Sequence, residues 1–342
     1  MRIGLAGTGR IGAFHAKTLT TIDGVDDLVL ADLDTEVAKQ VATELGVTAA
    51  PSIDALLGSG LDAFVITAGT AAHAELLEAA IARDIPTFCE KPVALDLERT
   101  IALTELEARS SVPVHIGFQR RFDTGYRRVR DAVASGELGF VHTVRAATMD
   151  QSPPHAAYLP TSGGLFRDCS VHDFDIVRFV TGQEVSRVFA VGANKGEPFF
   201  TEAGDVDTAA ATLVLDDGTL VSVTATRYNG AGHDVRMEVH GSKGTLGVGH
   251  DTTLPITSAE PGIDWPPGPR HWSFMERFLP AYVTELTAFV DVARGEIPSP
   301  CTVADALEAF RTAEACARSM TTGSPVDLGD IPTVRTELSV RG

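Results

Sequence analysis

Along the first third of the chain, short continuous apolar runs alternate with longer segments whose apolar residues recur every three or four positions. The first pattern predicts buried strands and the second amphipathic helices. RIGLA (2–6), DLVLADLD (27–34), LDAFVITAG (61–69), IPTFCEKP (85–92) and VPVHIGF (112–118) read as strands. Helices follow the first four: to about Thr20, over TEVAKQVATELG closed by Gly46, over AAHAELLEAAIARD (71–84) and over about 96–109. Strands of this kind in alternation with helices make a parallel sheet covered on both faces. Residues 1–120 are therefore expected to form an N-terminal Rossmann-type domain, a doubly wound parallel sheet.

From about residue 121 the pattern changes. A helix is expected over about 124–134, a long strand within GELGFVHTVRAATMD (136–150), a loop over QSPPHAAYLPTSGG (151–164) and a helix from there to about Thr181. VSRVFAVGAN, DTAAATLVLDDGTLVSVTATRY and DVRMEVHGSKGTLGVG then alternate apolar with polar, and DDGT and GSKG supply hairpin turns. A Pro-rich loop, LPITSAEPGIDWPPGPRHW (254–272), precedes two helices over about 274–294 and 303–320. Residues 121–342 are expected to form a C-terminal α+β domain on an open, mostly antiparallel sheet. Helices would cover one face; the other is expected to pack on a neighbouring subunit, giving a homo-oligomer, a dimer or tetramer.

Composition narrows the partners. Apolar residues make up 44% and charged residues 22%, in keeping with a globular chain. The formal net charge of −18 repels nucleic-acid phosphates and anionic lipid. RRFDTGYRRVR (120–130) is the one dense basic run, and it reads as a solvated or interface helix face. No apolar run approaches the ~20 residues of a membrane-spanning helix. MRIGLAGTGRIG enters structure at once without a signal-like stretch, and Cys89, Cys169, Cys301 and Cys316 form no CxxC pair. The expectation is a cytoplasmic protein that binds a small molecule, with no nucleic-acid or membrane partner.

Gly7, Gly9 and Gly12 form GxGxxG between the first strand and first helix. The first glycine permits the tight turn, the second lets backbone approach a pyrophosphate, and the third permits close helix–strand packing. Asp32 ends the next strand, where a carboxylate accepts from a ribose 2′-OH and repels a 2′-phosphate. Leu33 and Asp34 supply no arginine for that phosphate, so NAD is expected rather than NADP. The expected cofactor contacts are Gly7, Thr8, Gly9, Arg10, Ile11, Gly12 and Asp32, with Thr67, Ala68, His73, Glu90 and Lys91 at the later strand ends. His15 reads as either a pyrophosphate contact or a packing residue, and His115 and Cys89 as core.

Asp168 and His172 stand four apart in FRDCSVHDFD (166–175), on one face of an expected helix. A histidine beside a carboxylate suits removal of a hydroxyl proton as hydride leaves the same carbon. Lys91 in CEKPVALD (89–96) lies at a parallel strand's carboxyl end, where such sheets place ligands. It would steady negative charge developing on that oxygen. Zinc is the rival reading, since Asp168, Cys169 and His172 are possible donors and His155 precedes them. Cys169 would point away from the Asp168–His172 side by ~100° on a helix, and no second ligand cluster appears, so no metal is expected.

Taken together, GTGRIG, Asp32, CEKP, GFQRRFD (117–123), GGLFRDCSVHDFD (163–175) and the GSKG hairpin resemble the Gfo/Idh/MocA oxidoreductases over nearly the whole chain. GFQRRFD and GGLFRD point to its inositol 2-dehydrogenase branch. The resemblance implies a catalytic group of Lys91, Asp168 and His172: His172 as base, Asp168 as its orienting partner and Lys91 binding the reacting hydroxyl. It implies hydride transfer to nicotinamide, a polyol or sugar substrate, and often a tetramer built through the sheets. Gln119, Arg120, Asp150, Tyr228 and His233 join Lys91, Asp168 and His172 as expected substrate contacts, with Tyr158 and Asn229 as further candidates. Arg121 is expected to pair with acidic surface, and Asp173 and Asp175 to be solvent or structural groups. TAGTAAH (67–73) departs from the family's usual Pro-containing loop. Ala231 and His233 stand where inositol dehydrogenases carry tyrosines. The substrate readings are therefore a cyclitol, myo-inositol to scyllo-inosose first, or an aldose, amino-cyclitol or pseudo-sugar. A non-catalytic nucleotide-binding regulator is the remaining class.

Overall fold

In the computed structural model, which describes residues 1–263 and 268–334, the first apolar run is β1 (Arg2–Ala6), followed by α1 (Arg10–Leu19). The alternation continues through β2 (Asp27–Ala31), α2 (Thr35–Leu45), β3 (Thr48–Ala49), α3 (Ile53–Leu57), β4 (Ala63–Ile66), α4 (His73–Ile81), β5 (Thr87–Glu90), α5 (Leu97–Ala108) and β6 (Val114–Gly117). Local chemistry explains the boundaries. Asp34 accepts from the backbone N–H groups of Glu36 and Val37 to open α2, and Gly46 closes it with φ +70°. The strands pair in parallel in the order β3-β2-β1-β4-β5-β6. Strand order reverses between β1 and β4, so the turns after these two strands flank the crevice where such sheets bind ligands.

The compact units are not continuous along the chain. The chain divides into two units, one holding Met1–Phe118 with Tyr282–Leu307, the other Gln119–Ala281 with Glu308–Ile331. Leu286, Phe289 and Val290 of α10 (Phe274–Ala293) are buried in one cluster with Ile3, Leu5, Leu28, Leu30, Val65 and Phe88. Their i, i+3, i+4 spacing makes one apolar stripe, buried in the cluster that also holds Ala16 and Leu19 of α1. Residues 282–307 thus pack with the first unit, although chain order places them after the second.

The second unit is built on α6 (Thr124–Ala134), β7 (Val141–Met149), α7 (Leu159–Ser162), α8 (Val171–Thr181), β8 (Val185–Ala193), α9 (Phe199–Glu202), β9 (Thr208–Leu215), β10 (Leu220–Thr226), β11 (Asp234–Gly241), β12 (Thr245–Val248), most of α11 (Val303–Thr322) and β13 (Val326–Asp327). The seven strands follow the order β12-β11-β7-β10-β9-β8-β13; β7 and β10 pair in parallel and the other neighbours are antiparallel. DDGT and GSKG form the β9–β10 and β11–β12 turns. Alternate residues such as Val144, Ala146, Leu213, Val221 and Val223 are buried, whereas Phe189, Val191 and Leu220 on the other face are 40–52% exposed. The loop expected over 254–272 has no helix or strand where it is described, and residues 264–267 lie outside the described residues. Among the described residues, no helix is long and apolar enough to cross a membrane.

The helix expected before Thr181 begins with a π-helical turn, Phe166–Ser170, running directly into α8. Such turns widen the helix by one residue.

Candidate functional site

The glycine-rich turn of the first unit is held by steric limits that differ at each glycine. Gly7 has φ +96°, and a Cβ there would meet the Ala68 backbone at 2.3 Å. A Cβ on Gly12 would meet the Gly7 carbonyl oxygen at 1.7 Å, while one on Gly9 has nothing within 4 Å. Gly9 caps α1 with no side-chain cap, leaving backbone N–H groups at the start of the helix. The turn therefore packs tightly against its own unit at two glycines and faces open space at the middle one. That arrangement fits a dinucleotide pyrophosphate.

Asp32 is engaged within its own unit. Its Oδ2 accepts from Thr8 N at 2.6 Å and Thr8 Oγ1 at 3.1 Å, which orders the turn. Thr67 and His73, expected at the cofactor, are used internally. Thr67 Oγ1 lies 2.7 Å from the Gly7 carbonyl oxygen. His73 is buried, with Nδ1 2.8 Å from Pro92 O and Nε2 2.8 Å from Ala68 O, so both ring nitrogens are committed to backbone. It fastens the residues after Lys91 to those after β4. His15 is likewise fully buried, its Nε2 2.6 Å from Glu90 Oε1, and Glu90 Oε2 accepts the Lys91 N–H at 3.2 Å. Between them, the two histidines fix both sides of Lys91. His115 and Cys89 are core residues, with His115 beside Phe88 and Phe289.

In the second unit the double arginine turns inward. Arg120 Nη1 donates to Asp173 Oδ1 at 2.6 Å and Nη2 to Thr148 Oγ1 at 2.9 Å. Arg121 grips Asp175 through Nε at 2.9 Å and Nη2 at 2.6 Å. All four are at least 90% buried. Arg120, expected at the substrate, is engaged with partners inside the unit, and Arg121 pairs below the surface. Burying these charges is tolerable because each is paired, Arg121 through a two-pronged contact and Arg120 with Thr148 bridging to the same Asp173 carboxylate. Gln119 is buried beside them.

Arg227, just past the end of β10, is a residue that the sequence does not single out. Its Nη2 donates to Asp168 Oδ2 at 2.6 Å, and its Nη1 to Asp150 Oδ2 at 2.9 Å and Cys169 Sγ at 2.7 Å. Tyr158 donates its hydroxyl to Asp168 Oδ1 at 3.0 Å, and His233 Nδ1 lies 3.5 Å from Asp150 Oδ1. Burial works against the charge of Asp150, but the His233 ring and the Arg227 guanidinium outweigh it and hold its carboxyl below the usual carboxylate range. Burial and the Asp168 carboxylate push the Tyr158 phenol up, which keeps it a donor. Cys169, expected to point away, joins this cluster because two successive residues of the π-turn meet the two arms of one guanidinium.

Tyr228 is drawn elsewhere: its hydroxyl accepts from Glu197 N at 3.0 Å and its ring covers Gly196. His172 follows the π-turn in α8 and is half-buried. The available signal for Arg227 is an arginine directly after an alternating strand, TATRY. It is a weak signal because such positions are commonly exposed.

Residues 1–118 match the GFO/IDH/MocA oxidoreductase family with its NAD-binding Rossmann fold, and residues 126–247 match the GFO/IDH/MocA C-terminal domain. The myo-inositol dehydrogenase Hyg17 of Streptomyces leeuwenhoekii is 41% identical over 327 residues, covering 95% of this chain and 98% of that one. A crystal structure of a putative myo-inositol dehydrogenase from Sinorhizobium meliloti superposes with a TM-score of 0.89 at 33% identity, covering 96% of this chain and 99% of that one. The scyllo-inositol dehydrogenase of Lactobacillus casei, solved with bound NAD(H) and scyllo-inositol, gives a TM-score of 0.87 at 29% identity, with 96% and 99% covered.

Proposed function

The chain belongs to the GFO/IDH/MocA family of NAD-binding oxidoreductases, and on that premise we propose that it oxidises a ring hydroxyl of a cyclitol, myo-inositol first, to the ketone. NAD, when bound, would supply the acceptor for the hydride of the carbinol carbon. The proton of the same hydroxyl goes to the His172 ring and from there to solvent. Asp168 steadies the resulting imidazolium, and Lys91 holds the hydroxyl oxygen while negative charge develops on it. Asp150 and His233, with Gln119, are assigned to the other hydroxyls of the ring. Gly7, Gly9, Gly12 and Asp32 hold the dinucleotide.

The observation that carries this reading is the ordered acid–base cluster of the second unit. Asp168 there has one oxygen on Tyr158 and the other on Arg227, one helical turn before His172. A carboxylate that accepts from a phenol and from a guanidinium is fixed in place, as the orienting partner of a general base must be.

The test is NADH formation from myo-, scyllo- and chiro-inositol. Lys91→Ala and His172→Ala are expected to lower kcat/KM at least ~100-fold, the scale on which a positioned acid or base contributes. Absence of turnover with every cyclitol would refute the substrate class, and full activity in either variant would refute the roles. Ala231 and His233 favour a second reading with the same chemistry, on an aldose, amino-cyclitol or pseudo-sugar. A panel of these compounds separates the two.

A further inference from the structure

We propose that Arg227 is a positioning residue for the oxidation: one rigid guanidinium ties the Asp168 carboxylate to the Asp150 carboxylate and fixes both against the reacting ring. The inference rests on the functional reading above and adds to it a residue outside the Lys91, Asp168 and His172 group.

The geometry makes the case. The Arg227 side chain is 5% exposed, and its Nη atoms each carry a different carboxylate, Asp150 at 2.9 Å and Asp168 at 2.6 Å. A guanidinium is planar and its donors cannot rotate independently, so the two carboxylates are set relative to one another. The root of the side chain is fixed as well. Arg227 N donates to Asp207 O at 2.8 Å, and the fully buried Asp207 carboxylate accepts from Lys195 N and Gly196 N at 2.7 Å each. From the other side, the Tyr158 hydroxyl closes on Asp168 Oδ1. Asp168 is therefore gripped at both oxygens, neither of them free to swing.

Charge gives a second reason. Two carboxylates close together repel, and without a cation between them one takes up a proton. Arg227 places its cation against both, and with the His233 ring it holds the Asp150 carboxyl below its usual range. Asp168 steadies the imidazolium, and Asp150 is an acceptor for a ring hydroxyl. Loss of Arg227 would damage both jobs at once, so kcat and the KM for the polyol should both change while the dinucleotide half of the protein does not.

The test uses the full chain with NAD and myo-inositol, and compares Arg227→Met, Arg227→Lys, Asp168→Asn and the Asp168→Asn/Arg227→Met double variant. Readouts are kcat, KM for myo-inositol, and NADH affinity from its fluorescence. Arg227→Met is expected to lower kcat at least ~100-fold and raise KM about tenfold, with NADH affinity within about twofold of the wild type. Arg227→Lys keeps the charge and loses the fork, and is expected to recover about tenfold of the loss in kcat. The double variant is expected to match the kcat of Asp168→Asn within about threefold, because Arg227 acts through Asp168.

A wild-type kcat in Arg227→Met, or a double variant ~100-fold slower than Asp168→Asn, overturns the positioning role and leaves the dehydrogenase reading standing. Asp168→Asn with full activity, or a wild type inert on myo-inositol and the other cyclitols, overturns both. Should Arg227→Met fail to fold, Arg227→Lys decides. A drop of about tenfold in kcat with unchanged NADH affinity supports the role, and wild-type kinetics overturn it.

Discussion

Gly9 and Gly12 look alike as letters in GTGRIG, yet their surroundings differ in kind. The space a Gly12 side chain would need is taken by the Gly7 carbonyl; the space beside Gly9 is open. Gly12→Ala is accordingly expected to lower stability by about 2 kcal/mol or more, the scale of an overpacked contact, as read from the denaturant midpoint. Gly9→Ala should fold within ~1 kcal/mol of the wild type, the cost of a poorer cap, yet weaken NADH binding at least tenfold by filling the pyrophosphate approach. Equal loss of stability in both variants would contradict the assignment. At this scale the sequence shows which residue types gather at the site, and it is weaker on what each one is doing. Thr67 and His73, expected at the cofactor, are fasteners of the backbone, because a buried hydroxyl or imidazole must find a partner and nearby carbonyls supply one. Arg227 is hidden because nothing in TATRY reveals that its neighbours in space are two carboxylates seventy-seven and fifty-nine positions earlier.

Between elements, capping and pairing make the links that periodicity leaves out. Glu107 in the last turn of α5 accepts the Val303 N–H at 3.0 Å and so caps the start of α11. Burial pushes its carboxyl up to about 7, with the Val303 N–H pulling the other way and Asp305 adding to the rise. A carboxyl whose folded value lies above its unfolded one binds more protons in the folded state, so stability is greatest below about pH 4.5 and falls as pH rises to about 7. Across that window the wild type is expected to lose up to ~3 kcal/mol relative to Glu107→Gln, measured as the pH dependence of urea unfolding. Parallel curves would remove Glu107 as the cause. The strands and helices of the first 118 residues follow the apolar periods, apart from the short β3 and α3, which are too brief to carry one. The π-turn at Phe166–Ser170 is not legible, because one extra residue per turn leaves no mark in a segment already mixed in polarity. The pairing of Arg120 and Arg121 with Asp173 and Asp175 is hidden for a different reason: a buried ion pair and a solvated charge look the same in sequence.

For the molecule as a whole, the change of pattern near residue 120 marks where one unit gives way to the other, but chain order hides the return of 282–307 to the first. An apolar helical stripe announces that it will be buried without saying against what. Leu286→Ala, far from the Rossmann residues in sequence, is expected to cost about 2–5 kcal/mol and to weaken NADH binding through loss of the first unit, as judged by thermal unfolding with and without NADH. A loss confined to the second unit would contradict that packing. The same return path sets a schedule for synthesis. The sheet strands β1 to β6 leave the ribosome early, yet Leu286, Phe289 and Val290 follow roughly 170 residues later, on the order of ten seconds or more of translation. Until then the growing polypeptide carries an apolar wound on the very domain that will hold its nucleotide, and a chaperone or a slow codon has its greatest leverage in that interval.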